Sequence, residues 1–388
     1  MLADEHTPSR SQERWRRVRH YLNAHRYELT LSAKLLYGDH EQVGRTGLLV
    51  GKDWLVGQPV PLERISLEWV AELPINSLDG SEPESSSVRP LRGDGQRYAR
   101  YAEALGELDP PRLFENRTSY RLLHMQRGED GGLVLGFGKG SYFDIVNVCE
   151  AVGHEFALAY QANPHELPSL GQLPFRALVG DPCDPARRPL MIGISVLTLR
   201  RDRAGGAASF VLHRRDAKNV AHGGGLYHVM PVGTFQPSAD AAWNERHDLD
   251  LWRSMVREYH EEFLGAPEHY GSDHAPIEYD SWPFFRALSD ARQSGAIRAY
   301  WLGLGVDPLT LVTDLLVAVI FDDDVYDSLF GTLAAANLEG QIVNGDAATG
   351  IPFTQESVTR FVSFEPTQAA GAALLWLAWW HKAALLER

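Results

Sequence analysis

Apolar residues recur at three- and four-residue steps over residues 11–37, where Trp15, Val18, Leu22 and Leu29 line one side of a helix. Arg10, Arg14, Arg16, Arg17, Arg19 and Arg26 fall mostly elsewhere. With no helix-turn-helix or zinc pattern beside them, they read as a solvated face, or one pairing with distant acids, rather than a nucleic-acid-binding helix. Residues 48–50, 54–56 and 65–69 are short apolar or alternating runs divided by Gly and Pro, read as strands or extended loops. Residues 76–95, rich in Ser, Gly, Asp and Pro, read as a flexible surface loop. A helical pattern over residues 97–108 stops at Asp109-Pro110-Pro111. Residues 120–123 and 133–137 then read as paired strands, followed by a tight turn at Gly138-Lys139-Gly140-Ser141 and a helix over about residues 144–160. Lys139 is a candidate phosphate contact, and His154-Glu155 reads as a surface pair.

Six prolines between Pro164 and Pro189 erase any periodicity. A domain boundary is placed there, giving an N-terminal α+β domain over residues 1–180 and a second domain over residues 190–388. In the second, residues 191–200 alternate as a strand, Gly205-Gly206 turns, and residues 209–215 and 227–233 supply further strands. From Leu249 a helix is expected: Trp252, Val256, Tyr259 and Phe263 form one apolar stripe, while Glu258, Glu261 and Glu262 share another face. Residues 299–304 and 309–321 read as strands, the latter so continuously apolar that both faces must be covered. Asp322-Asp323-Asp324 reads as a solvated strand end before a helix over residues 325–335, and Thr354-Gln355-Glu356-Ser357 as another helix start. Residues 369–380 are apolar but well short of the roughly 20 needed to span a bilayer. They read as a core helix, with Trp376, Trp379 and Trp380 as the anchors of a homodimer in the alternative reading.

The formal net charge of −14 argues against a general affinity for nucleic acid or anionic membrane. Cys149 and Cys183 lack metal-site spacing, so two reduced thiols are expected. The opening residues show neither a basic nor an apolar targeting segment, and a cytoplasmic location is expected.

Like charges bunched on one helix face cost a few tenths of a kcal/mol per pair, so Glu258, Glu261 and Glu262 call for a reason. A solvated acidic face is the plain one; a divalent cation on oxygen ligands is the sharper one. The order Arg257-Glu258-Tyr259-His260-Glu261-Glu262, preceded by Met230-Pro231-Val232-Gly233 and by Leu212-His213-Arg214-Arg215, resembles the Nudix hydrolase family. The resemblance covers the second half of the chain. It implies an α+β fold with a mixed sheet between helices and Mg²⁺ or Mn²⁺ on Glu258, Glu261 and Glu262. It further implies catalytic roles for Glu261, Glu262 and Arg257, the last as the brace of the helix, and a substrate contact at Gly233, which starts the loop before the helix.

Arg214 and Arg215 are candidate substrate contacts, with His213 beside them. The implied reaction is attack of water on a nucleoside diphosphate linked to another group. This chain departs from the signature in three ways. The interval from Gly233 to Arg257 is ten residues longer, the closing Gly265 comes one position late, and the first Glu is missing, with Glu245, Asp248 or Asp250 as substitutes. A shortened ligand set also suits a non-catalytic nucleotide or nucleotide-sugar sensor, or a scaffold whose acidic helix is structural.

Overall fold

The computed structural model describes residues 7–38, 42–73, 78–111, 114–128, 131–164, 166–215, 225–267, 274–331, 336–337, 340–343 and 350–387. Its strands are β1 (Leu55–Pro61), β2 (Ile65–Trp69), β3 (Thr118–Arg127), β4 (Leu133–Ser141), β5 (Leu190–Arg201), β6 (Ala208–Phe210) and β7 (Leu212–Arg215) in the first part of the order. They continue as β8 (Tyr227–Val229), β9 (Val232–Thr234), β10 (Ile297–Val306), β11 (Thr313–Asp322), β12 (Ala336–Asn337), β13 (Gly340–Val343) and β14 (Ile351–Pro352). The fold is mixed α/β. One large sheet runs β1-β10-β11-β5-β3-β4-β2, and β12-β13-β7-β8 form a second. Because β1 and β2 stand at opposite ends of that path yet are joined by Leu62–Arg64 alone, the sheet must curl until it nearly closes into a barrel.

β5 and β11 form its centre, pairing in parallel from Ile192↔Thr313 to Arg201↔Asp322. Every position of β11 is buried, as its unbroken apolar run demands. Alternation sends Leu315, Val317, Val319 and Phe321 into one apolar cluster and Leu316, Ala318 and Ile320 into another. The helix Leu251–Leu264 contributes to the first cluster and the helix Ala369–Trp380 to the second. No described helix is long and apolar enough to cross a membrane. Trp379 packs on Phe353, while Trp380 stays 71% exposed and stacks on Trp376.

The proline-rich stretch does not separate two sheets. Immediately after it, Leu190 and Met191 of β5 pair with Leu122 and Arg121 of β3, and the first apolar cluster runs from Trp15 to Phe330. A separate N-terminal domain is therefore not seen; strands from both stretches build one sheet.

Several local expectations are corrected by tertiary partners. Arg19 and Arg26 take the second of the two readings offered for the arginines, pairing with a distant acid: both are buried and donate to Oε2 of Glu150, Arg26 at 2.9 Å. The segment expected to be a flexible loop includes a 3₁₀ turn, Pro83–Val88, anchored by fully buried Ser85, whose hydroxyl donates to the carbonyls of Gly80 and Glu82; residues 76–77 lie outside the described residues. Gly138-Lys139-Gly140-Ser141 is not a turn but the end of β4, paired residue by residue with β3. His154 and Glu155 are not on the surface. The His154 ring packs on Trp15 with Nδ1 3.0 Å from the Tyr101 hydroxyl, and Glu155 accepts the backbone N–H groups of Phe175 and Arg176 at the start of helix Pro174–Val179. Asp322 is likewise buried rather than solvated, paired with Arg201 at 3.2 Å.

Candidate functional site

The acidic helix Leu251–Leu264 starts where the Asp250 carboxylate accepts the Arg253 N–H at 2.8 Å, and stops at Gly265, whose φ of 64° is the left-handed cap expected of it. Trp252, Val256, Tyr259 and Phe263 are all buried, so the apolar stripe read from the spacing is the packed face. Deep in that face the Thr198 hydroxyl donates to the carbonyl of Met230 at 2.7 Å, which leaves the Tyr259 O–H to donate to Thr198 across 2.7 Å. Burial holds the Tyr259 phenol well above its usual pKa, so the donor proton stays in place. This chain of bonds fixes the helix against the segment that enters β9.

β9 is where the predicted site residues meet. Gly233 pairs with Ile194 of β5, and a Cβ built on it would overlap the carboxyl carbon and both oxygens of Glu258. Only a residue without a side chain lets that carboxylate lie against the strand. One turn further along the helix, Glu262 is 4% exposed and its Oε1 accepts the Val232 N–H at 3.1 Å. Glu261 is half-buried beside it. Two of the three carboxylates thus gather on the Val232-Gly233 backbone. Among the described residues, no group of three or more His, Cys, Asp or Glu side chains is gathered as a preformed metal cage.

Arg257 braces the helix. It reaches the carbonyl of Gln236 at 2.7 Å, the Tyr279 hydroxyl at 3.3 Å and Asp248 at 3.4 Å. Asp248 is fully buried and also accepts the Ser238 N–H at 2.7 Å and the Tyr279 O–H at 2.8 Å. Burial chiefly, with Asp248 assisting, raises the Tyr279 pKa and keeps that donor protonated. Of the three substitutes for the missing Glu, Asp248 takes the partnership with Arg257. Asp250 caps the helix, and Glu245 is committed to Lys139 at 2.5 Å.

Arg214 and Arg215 belong to β7 in the second sheet, where the Arg214 guanidinium lies over the Tyr227 ring at 5.7 Å; the Arg215 side chain lies outside the described residues. His213, on the opposite face of β7 from Arg214, is buried.

A cavity of about 210 Å³ lies along β9. Strand alternation turns the Val232 and Thr234 side chains to the opposite sheet face from the Gly233–Glu258 contact, the face that also carries Asp314. The cavity is lined there by Val232, Thr234, Asp314 and His228, and across from them by Arg19 and Glu150 from the first part of the chain. Asp314 Oδ1 accepts from Ser195 at 2.9 Å, and Gly193 beside it has no Cβ to displace that carboxylate. Sequence reasoning missed Arg19, Glu150 and Asp314. Arg19 carried a signal, since it stands four residues after Trp15 and three before Leu22, inside the apolar stripe. No protein-family model matches this chain, and no curated protein matches it.

Proposed function

We propose that this protein is a metal-dependent hydrolase that cleaves the phosphoanhydride of a nucleoside diphosphate linked to another moiety. The observation that carries the reading is the meeting of Glu258 and Glu262 on Val232-Gly233, at the foot of a helix braced by Arg257 and Asp248. Mg²⁺ is commonly held by one or two carboxylates together with substrate phosphates, so two gathered carboxylates fit it without a complete protein cage. Glu258 and Glu262, with Glu261 adjoining, would hold Mg²⁺ or Mn²⁺. The cation supplies charge neutralisation on the diphosphate and a more acidic bound water. Glu261, half-exposed like Glu258, is suited to orient that water and take its proton. Arg257 stays one step back, holding the helix in register with β9.

A second reading, a nucleotide or nucleotide-sugar sensor, is favoured by one observation. Glu262 spends an oxygen on the Val232 N–H, which lessens what it can give a cation. The two readings part in a single experiment. Purified protein with Mg²⁺ or Mn²⁺ is expected to turn over some member of a panel of nucleoside diphosphate derivatives, and the Glu261→Gln, Glu262→Gln double variant to abolish it. Glutamine retains an acceptor for the Val232 N–H, so the loss would report charge rather than folding. No turnover across the panel, together with tight metal-independent binding of one compound, would overturn the hydrolase in favour of the sensor.

A further inference from the structure

The cavity of about 210 Å³ along β9 lies on the sheet face opposite the Gly233–Glu258 contact and takes no part in the metal site proposed above. It is a slot between two layers. The floor is sheet, with Val232 and Thr234 of β9 beside Asp314 of β11. Leu105, Ile145 and Val146 roof it from two helical segments. Residues 142–162 run as one helical stretch, but Val146–Glu150 within it is a π turn, and both end residues of that turn line the cavity. A π turn widens the helix by fitting an extra residue into one turn, and such turns recur at functional sites.

Charge and hydrogen bonding narrow the ligand. Arg19 and Glu150, the charged residues of the roof, are bonded to each other, so that wall selects neither a phosphate nor a metal ion. On the floor, Asp314 Oδ1 accepts the Ser195 hydroxyl at 2.9 Å. A carboxylate has about four acceptor positions, so a ligand N–H can join it without displacing Ser195. Gln368 also lines the slot; its Oε1 accepts the Gly371 N–H at 3.1 Å, which presents the amide NH₂ as a donor. The Thr234 hydroxyl can serve in either sense.

Size and shape narrow it further. A dry cavity of about 150 Å³ already admits benzene, so this one takes a single ring or two small fused rings. A slot between a sheet and the helices packed on it favours a flat molecule. Apolar walls with a few convergent polar groups are the usual make-up of small-ligand sites. An acceptor carboxylate near an amide donor matches a ring that carries an amino group next to a ring nitrogen. We propose that this cavity binds an uncharged amino-heterocycle of nucleobase size, independently of any metal and of the hydrolase reading.

The test is calorimetric titration of the whole protein with cytosine, adenine and indole, in EDTA so that any metal-dependent site is silent. Cytosine and adenine both carry an amino group beside a ring nitrogen, whereas indole offers one N–H and no acceptor. Both bases are expected to bind about tenfold or more tightly than indole, the worth of roughly one hydrogen bond. Asp314→Asn keeps an acceptor for Ser195 but turns the other oxygen into a donor, and should weaken base binding about tenfold. Thr234→Val, at a half-buried position, keeps the shape without the hydroxyl and should weaken it by a smaller factor. Urea unfolding of each variant separates lost binding from lost folding. Indole bound as tightly as the bases would show an apolar void and overturn the site. So would absence of binding by either base, or base affinity unchanged in both folded variants.

Discussion

Asp248→Ala is the substitution whose cost follows most directly from geometry. The carboxylate is fully buried and meets three donors: the Ser238 N–H at 2.7 Å, the Tyr279 O–H at 2.8 Å and the Arg257 guanidinium at 3.4 Å. Alanine leaves Arg257, only 9% exposed, with the Gln236 carbonyl and the Tyr279 oxygen but no counter-charge. Removing one partner of a buried pair costs about 3–5 kcal/mol, because the other charge stays desolvated. The stranded Ser238 N–H belongs to the same network, so its cost is not added in full. Against a typical stability of about 5–15 kcal/mol, the variant would be severely weakened. Asp248→Asn removes the charge but keeps one acceptor: the Ser238 N–H and the Tyr279 O–H go to different carboxylate oxygens, so the amide oxygen retains one of these two bonds while the amide NH₂ replaces the other acceptor. Its cost should be clearly smaller, about 1.5–3 kcal/mol, the worth of a hydrogen bond involving a charged group. Urea unfolding at pH 7 reads both, as a lower midpoint at unchanged slope. An alanine variant within about 1 kcal/mol of wild type, or an asparagine variant equally damaged, would refute the view that Asp248 replaces the signature's missing acid as the brace for Arg257.

Two further predictions test the site and the core. Gly233→Ala should leave stability nearly unchanged, because the atoms nearest the added Cβ are the end of the flexible, half-exposed Glu258 side chain and the backbone φ is not left-handed. It should nonetheless remove metal-dependent turnover by displacing that carboxylate; full activity would show that the Gly233–Glu258 contact is incidental. His154 has its pKa lowered to about 3, first by burial and then by the Arg19 charge, against an unfolded value near 6.5. Its unfolded state therefore takes a proton that the folded state refuses. Stability is full above pH 6.5 and is lost as pH falls below it, by about 2 kcal/mol at pH 5. His154→Gln should flatten that limb of the unfolding-versus-pH curve; an identical slope in the variant would assign the acid sensitivity elsewhere.

The acidic helix was legible because its information is local. Trp252, Val256, Tyr259 and Phe263 announce a packed face by spacing alone, Gly265 announces the stop, and the glutamates fall together on another face by the same arithmetic. β11 was legible for a similar reason, its apolar run leaving no solvated face. What failed was non-local. Asp248, Asp250 and Glu245 are equivalent candidates in the sequence; what separates them is that Arg257 reaches only the first, while Arg253 and Lys139 take the others. His154-Glu155 reads as a surface pair until Tyr101 and the N–H groups of Phe175 and Arg176 arrive from elsewhere to satisfy it.

At the boundary read at residues 180–190, too, the deciding information is non-local, because strands on either side of it share one sheet. Proline density reports the lack of local periodicity, but not that the strand beyond will pair backwards with Arg121 and Leu122. That pairing brings the first part of the chain against β9, where Arg19 and Glu150 line the cavity opposite Val232 and Thr234. The N-terminal residues are therefore part of the wall of that cavity, on the face of β9 opposite the Gly233–Glu258 contact. A truncation at the proline-rich stretch would remove β3 from the edge of β5 and one side of that cavity together.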